Sequence, residues 1–426
     1  MTPPDTAGTE SAARVRSEDA PLRPAAGRSS LGEVCAVLWP PPATASLSRG
    51  PRPRRAGERD YVVLPSARRP RLLVPSGRRA SAAAVRRYGE PGSVAAWAAS
   101  RTLALALAAG GASVGLGGRL RISVDPGTGD PGTGTIEAYL RSVLGYEVLI
   151  STHLGSARAN RKPVLQLLTR RGETAGFAKV SVNPLTRDLI RAERAALDTL
   201  AAASLSAMTV PRVLHYGQWQ GREVLVMNAL PVWRRRQALR PGRLTAAMTE
   251  LAAVGGRSRG PLAGCGYVDR LRSRLADAPA GPDRATLGDA LDALIAAGPE
   301  LSFGAWHGDW TGWNMASTAD GLLVWDWERF APGVPVGFDP LHYRLQSDVV
   351  RRRRPPAEAA GACVRDAAAC LAPFGVPAGE ARLVAVLYLA ELSARYLADR
   401  QAEAGARLGR PGTWLIPAIE EAVRTL

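Results

Sequence analysis

Lysine is almost missing from this chain of 426 residues: of 55 basic residues, only Lys162 and Lys179 are lysines and 53 are arginines. That skew, with the abundance of Ala, Gly and Pro, reads as the coding bias of a GC-rich genome. The net charge of +17 therefore does not by itself argue for nucleic acid or an acidic membrane as partner. Cysteine and histidine are also scarce, at four each. Cys35, Cys265, Cys363 and Cys370 are scattered without a C-x-x-C pair, which excludes a zinc ribbon and a disulfide framework and fits a reducing compartment. Residues 1–30 carry Glu10, Glu18 and Asp19 and lack the apolar segment of a secretory signal, so a cytoplasmic protein starting at Met1 is expected. The uncharged stretch Thr102 to Gly118 has 17 residues, five of them glycine, against the roughly 20 apolar residues of a spanning helix. A buried helix over 93–109 is expected there, and no membrane span.

What is present, 46% hydrophobic and 22% charged residues, suffices for two or three packing units. Residues 1–58 hold nine prolines and no apolar periodicity and are expected to be a disordered tail, with a short apolar patch at Val34 to Trp39. Residues 60–124 alternate strand and helix patterns as a small α/β appendage, with ten arginines against Asp60 and Glu90. The repeated Asp-Pro-Gly-Thr-Gly of residues 125–134 is a linker or exposed turn. Residues 135–231 read as a short helix, three strands, a helix over 189–203 and two more strands. Residues 232–426 read as mainly helical, interrupted by a β-rich segment at 301–330.

Within that segment lies Trp306-His307-Gly308-Asp309-Trp310-Thr311-Gly312-Trp313-Asn314, and 12 residues after Asn314 comes Asp326, in Leu323-Val324-Trp325-Asp326-Trp327-Glu328. Phosphoryl transfer needs a carboxylate to orient the acceptor hydroxyl and oxygen ligands for Mg²⁺. The spacing H-x-D-x-x-x-x-N, followed by Asp at the end of an apolar strand, supplies these groups in kinase order. Asp and Asn are also ordinary helix caps, but the pair, the 12-residue step and the second carboxylate seldom coincide by chance. Here the chain resembles the aminoglycoside phosphotransferase and choline kinase superfamily, relatives of the protein kinases. His-Gly-Asp and Asp-Trp-Glu mark its small-molecule branch.

The resemblance covers roughly residues 135–426 and implies a two-lobed, kinase-like α+β fold, with an antiparallel-sheet lobe and a mainly helical lobe. It makes Asp309 the catalytic base or hydroxyl-orienting group, Asn314 and Asp326 metal ligands, and Glu328 a further contact to metal or substrate. His307 and Asp339 would brace the catalytic loop. Lys179, with Glu193 14 residues on, would grip the nucleotide phosphates. Lys162, on the neighbouring hairpin, is expected to be a bystander. Met227 and Ala229 would form the adenine hinge, and Gly155 and Ser156 the phosphate-covering turn, although that turn lacks the G-x-G-x-x-G pattern. The tryptophans around Asp309 and Asp326 are read as core.

The implied function is ATP- and Mg²⁺-dependent phosphorylation of a hydroxyl on a small molecule: an aminoglycoside, sugar, amino alcohol or natural-product intermediate. No specific nucleic acid is expected, and residues 60–124 would meet any anionic or protein partner. A protein kinase is the second enzymatic reading, against which stands the lack of Ala-Pro-Glu downstream. A catalytically silent kinase-like scaffold is the reading from a different class.

Overall fold

The computed structural model describes residues 20–21, 30–48, 57–88, 94–110, 118–124, 134–155, 158–232 and 236–425. The chain divides into two units, residues 1–142 with 170–172 and residues 143–169 with 173–426. The linker expected at 125–134 lies, but for its last residue, outside the described residues.

In the N-terminal unit five strands pair antiparallel in the order Ala20–Pro21, Thr44–Ser48, Gly118–Ser123, Glu58–Ser66, Arg69–Pro75. Tyr61 to Leu64 and Leu72 to Val74 are buried on it. Helices Ser30–Leu38, Arg78–Tyr88, Val94–Gly110 and Ile136–Leu144 complete the described elements. Residues 30–48 correct the reading of a disordered tail. Their helix and strand bury Leu31, Val34, Cys35, Leu38 and Trp39, because the apolar patch is one face of a helix with a tertiary partner. Trp39 Nε1 donates to both oxygens of buried Glu137 at 3.0 and 2.9 Å, the Tyr61 hydroxyl donates to the same carboxylate, and Arg59 lies 3.2 Å from it. The short helix expected to open the kinase-like part thus contributes Glu137 to the N-terminal unit.

The larger unit begins with five antiparallel strands in the order Leu149–His153, Val164–Leu168, Thr174–Val180, Arg222–Asn228, Val213–Trp219. Helix Pro184–Ala202 starts at a capping box in which Asn183 and Thr186 satisfy each other's backbone N–H. Its buried stripe runs Thr186, Leu189, Ile190, Glu193, Ala196, Leu197, Leu200, so Glu193 sits where helical periodicity demands an apolar side chain.

The rest is helical around Ala378–Ala398, which is buried almost continuously from Leu383 to Arg395. Against it pack Gly266–Asp277, Pro282–Ala296, Phe338–Gln346, Pro356–Arg365 and Ile416–Val423. Two small sheets carry the site loops. Glu300–Trp306 lies between Ser258–Pro261 and Ala331–Pro335, and Met315–Thr318 pairs with Gly321–Val324. The segment from His307 to Asn314 joins the first sheet to the second, and Asp326 follows the second sheet's Gly321–Val324. An antiparallel-sheet lobe followed by a helical lobe makes this unit the α+β, kinase-like fold expected. Among the described residues no single helix is long and apolar enough to cross a membrane.

Candidate active site

The His307 to Asn314 loop is held from three sides. Asp339, at the start of helix Phe338–Gln346, accepts the His307 and Gly308 amides at 2.8 and 3.2 Å, the bracing role expected of it. Arg395 donates to the Gly308 carbonyl at 2.7 Å. His307 accepts the Asp309 N–H on Nδ1 at 3.1 Å, which leaves Nε2–H to donate to the Trp325 carbonyl at 3.1 Å. Burial holds His307 neutral, with a pKa lowered to about 4. Gly308 has φ of 81°, and a Cβ there would come within 2.2 Å of the Arg329 carbonyl. The glycine of His-Gly-Asp is therefore a steric requirement.

Asp309 is bound at both oxygens. Asn314 Nδ2 donates to Oδ2 at 3.0 Å and to the Asp309 carbonyl at 2.9 Å. Its amide oxygen is thereby left as the remaining ligand atom. His342 Nε2 stands 3.0 Å from Oδ1, and the Tyr388 hydroxyl is 2.9 Å from His342 Nδ1. With Nε2–H on the carboxylate, Nδ1 accepts the tyrosine hydroxyl. Burial tends to raise the Asp309 carboxyl, but the His342 hydrogen bond holds it below its ordinary value. His342 and Tyr388 carry no signal in the sequence, because they lie 33 residues after Asp309 and 46 residues further on.

The second cluster centres on Lys179. Its strand faces Val164 and Leu225 on either side, and its Nζ lies 2.7 and 2.6 Å from the two Glu193 oxygens and 2.5 Å from Asp326 Oδ1. Glu193 Oε1 also accepts the Trp327 amide at 3.3 Å. Burial would lower the Lys179 ammonium, yet Asp326, Glu193 and Glu328 together raise it. Asp326, its backbone at φ 74°, is held below the ordinary carboxylate range by Lys179 and Lys162 against the effect of burial. Lys162 is no bystander: it ion-pairs Glu328 in a buried contact.

The structure thus brings Lys179, Glu193 and Asp326 together and sets Asp309 beside Asn314. The two groups meet through the backbone, Trp325 N donating to the Asn314 carbonyl at 3.0 Å. Met227 lies at the end of the strand next to that of Lys179, with Ala229 just beyond it, and Gly155 follows strand Leu149–His153. Ser156 lies outside the described residues. Trp306, Trp310 and Trp327 are core, as expected, whereas Trp313 is 45% exposed.

Residues 170–336, which contain all of these groups but Gly155, Ser156, Lys162 and the bracing helices, match the phosphotransferase enzyme family. Over that segment the chain is similar to this family. No curated protein matches the sequence. Among solved structures, the chain is similar to a thermostable mutant of the aminoglycoside phosphotransferase APH(4)-Ia in ternary complex with ADP and hygromycin B. That likeness has 15% identity, TM-score 0.44, and covers 68% of this chain and 98% of that one. A putative fructosamine-3-kinase of Thermobifida fusca is similar at 20% identity and TM-score 0.37, covering 68% and 99%. An amicoumacin kinase in complex with AMP-PNP, Ca²⁺ and amicoumacin is similar at 11% identity and TM-score 0.38, covering 62% and 86%.

Proposed function

We propose that this protein is a phosphotransferase that uses ATP and Mg²⁺ to phosphorylate a hydroxyl group of a small molecule in the cytoplasm. The observation that carries the reading is that Lys179 joins Glu193 to Asp326 while Asp309, fixed at both oxygens, stands on the adjoining loop. The oxygens of Glu193, Asp326 and Glu328 lie within 4.8 Å of one another, a hard-donor set that fits a divalent cation. Asp326, Glu328 and the Asn314 amide oxygen would hold it, with Glu193 committed to Lys179. Bound there, the metal supplies neutralisation of charge on the transferring phosphoryl group.

Each remaining role falls to a residue of this chain. Lys179 binds phosphate oxygens, and Glu193 fixes the ammonium. Asp309 orients the acceptor hydroxyl and takes its proton as the oxygen bonds to the γ-phosphorus and the bond to the β,γ-bridging oxygen breaks. Most of the rate gain is positioning and charge placement. Met227 and Ala229 line the base, and Gly155 and Ser156 the phosphates. Exposed Arg68, Arg69 and Arg71 suit an anionic or protein partner for the N-terminal unit.

ADP release across a library of hydroxyl compounds identifies the acceptor class. Calorimetry with an ATP analogue then separates the two carboxylates. Asp326→Ala should lose Mg²⁺-dependent binding, and Asp309→Asn should keep binding while losing turnover. Equal loss of binding in both variants would defeat the assignment.

A further inference from the structure

The two lysines of the chain meet at one carboxylate. Lys162, just before strand Val164–Leu168, ion-pairs Glu328 Oε2, and Lys179 lies 3.8 Å from that same oxygen. In a chain that writes arginine 53 times, both lysines stand on one acidic trio. The Lys162 and Glu328 side chains are 6% and 5% exposed, so water screens neither charge, and each needs the other. The segment carrying Lys162 is tied down beside it. Asn160 Nδ2 reaches Glu328 Oε1, the Ala159 carbonyl accepts from Asn183, and the Ala159 amide donates to Gln401, all at 3.4 Å.

Charge counting shows what Lys162 does there. Glu193, Asp326 and Glu328 bring three negative charges, and the two ammoniums offset two of them. A divalent cation seated on the trio needs oxygens that the ammoniums now occupy.

We propose that Lys162 is a tethered counter-cation that holds Glu328 in the nucleotide-free protein and so keeps a free divalent cation off the acidic trio. The cation is then admitted mainly with a nucleotide, whose phosphates give the displaced ammonium a new anion. A compact ammonium on a flexible stem suits such a transfer better than the rigid guanidinium fork. The inference rests on the phosphotransferase reading and concerns a step before chemistry.

The test is Mn²⁺ binding to the full chain without nucleotide, followed by the paramagnetic resonance signal of free Mn²⁺ at pH 7.5 and low salt. Lys162→Met and Lys162→Gln should bind Mn²⁺ at least tenfold more tightly than the parent. Lys162→Arg, which keeps the cation, should stay within about threefold of it, and adding Glu328→Gln to Lys162→Met should cancel the gain. Thermal melting shows that each variant is folded, and the glutamine variant, able to hydrogen-bond Glu328, stands in if the methionine variant is not. Equal Mn²⁺ affinity of the parent and both uncharged variants, undetectable binding in all of them included, overturns the proposal. Calorimetry of Mg²⁺-ATP on the parent tests the underlying reading separately. If ATP binds and Mn²⁺ affinity does not change, only the counter-cation idea falls. If Mn²⁺ affinity rises and ATP does not bind, the counter-cation stands and the phosphotransferase reading falls.

Discussion

Asp309 has both oxygens engaged, one by an amide and one by an imidazole that is itself tied to Tyr388. A carboxylate so fixed loses little freedom when it takes up a hydroxyl, and that is where positioning contributes to rate. His342→Phe should therefore lower kcat by more than about tenfold, above about 1.4 kcal/mol in barrier, with little change in the KM for nucleotide. His342→Gln should recover part of it, since its amide N–H can still donate to Oδ1. A uniform rise in both KM values with kcat unchanged would make His342 a packing residue only. Lys179→Arg should likewise lower turnover more than about tenfold while the protein stays folded, because a guanidinium fork does not fit between Glu193 and Asp326. Full activity at saturating ATP would place the phosphate grip elsewhere. Asp309, Asn314 and Asp326 were readable because a short motif keeps their spacing. His342, Tyr388 and Lys162 were not, since only the folding of distant segments brings them to the site.

At the scale of elements, periodicity found most of the larger unit, and its sheet strands follow the chain order expected, three before the long helix and two after it. Continuous apolar runs such as Val224 to Met227 mark those strands. Helix Phe338–Gln346 escaped notice because the chain announces it with Gly337, at φ 114°, and places Pro340 in its first turn. Helix Ser30–Leu38 was missed for a different reason. Its apolar face is only two turns long, and nothing local shows that Trp39, Tyr61 and Arg59 close around Glu137, some hundred residues downstream of the helix. This cluster predicts the consequence of a deletion. Trp39→Phe removes the indole donor from a buried carboxylate and should destabilise the N-terminal unit by about 1–3 kcal/mol. Glu137→Gln in the same background should lessen the loss, because a neutral amide needs fewer donors. Unchanged melting in Trp39→Phe would show that the Tyr61 and Arg59 contacts satisfy Glu137 alone. Removing residues 1–28 should leave melting nearly unaltered, whereas removal through Trp39 should not.

For the whole molecule, the charge of +17 is an average over different environments. Many arginines of the larger unit are spent in pairs, such as Arg352 and Arg354 on buried Asp348 and Arg329 on Asp399. Arg68, Arg69 and Arg71 are exposed. Reversing these three to Glu should advance elution from a heparin column, with the parent's retention falling as salt rises, and should leave phosphoryl transfer unaltered. Loss of turnover in the folded triple variant would contradict the separate roles of the two units. Global stability should also carry the signature of His307. Its pKa is lowered from 6.5 to about 4 in the fold, so below about 6.5 the unfolded chain binds a proton that the folded chain refuses. The stabilisation from the neutral imidazole is complete above pH 6.5 and is lost as pH falls towards 4. Its full size is about 3 kcal/mol. Buried Asp339 acts in the opposite sense. Burial raises its carboxyl from 3.8 to about 7, so the folded state takes up the extra proton and gains stability as pH falls through that window. The parent's profile alone therefore mixes the two. Comparison with His307→Asn cancels the Asp339 contribution, which both proteins share. Between pH 7.5 and 4, urea unfolding should show the parent losing about 3 kcal/mol relative to that variant, whatever their difference at neutral pH. Parallel profiles would mean that His307 takes up its proton equally well in the folded and unfolded chains.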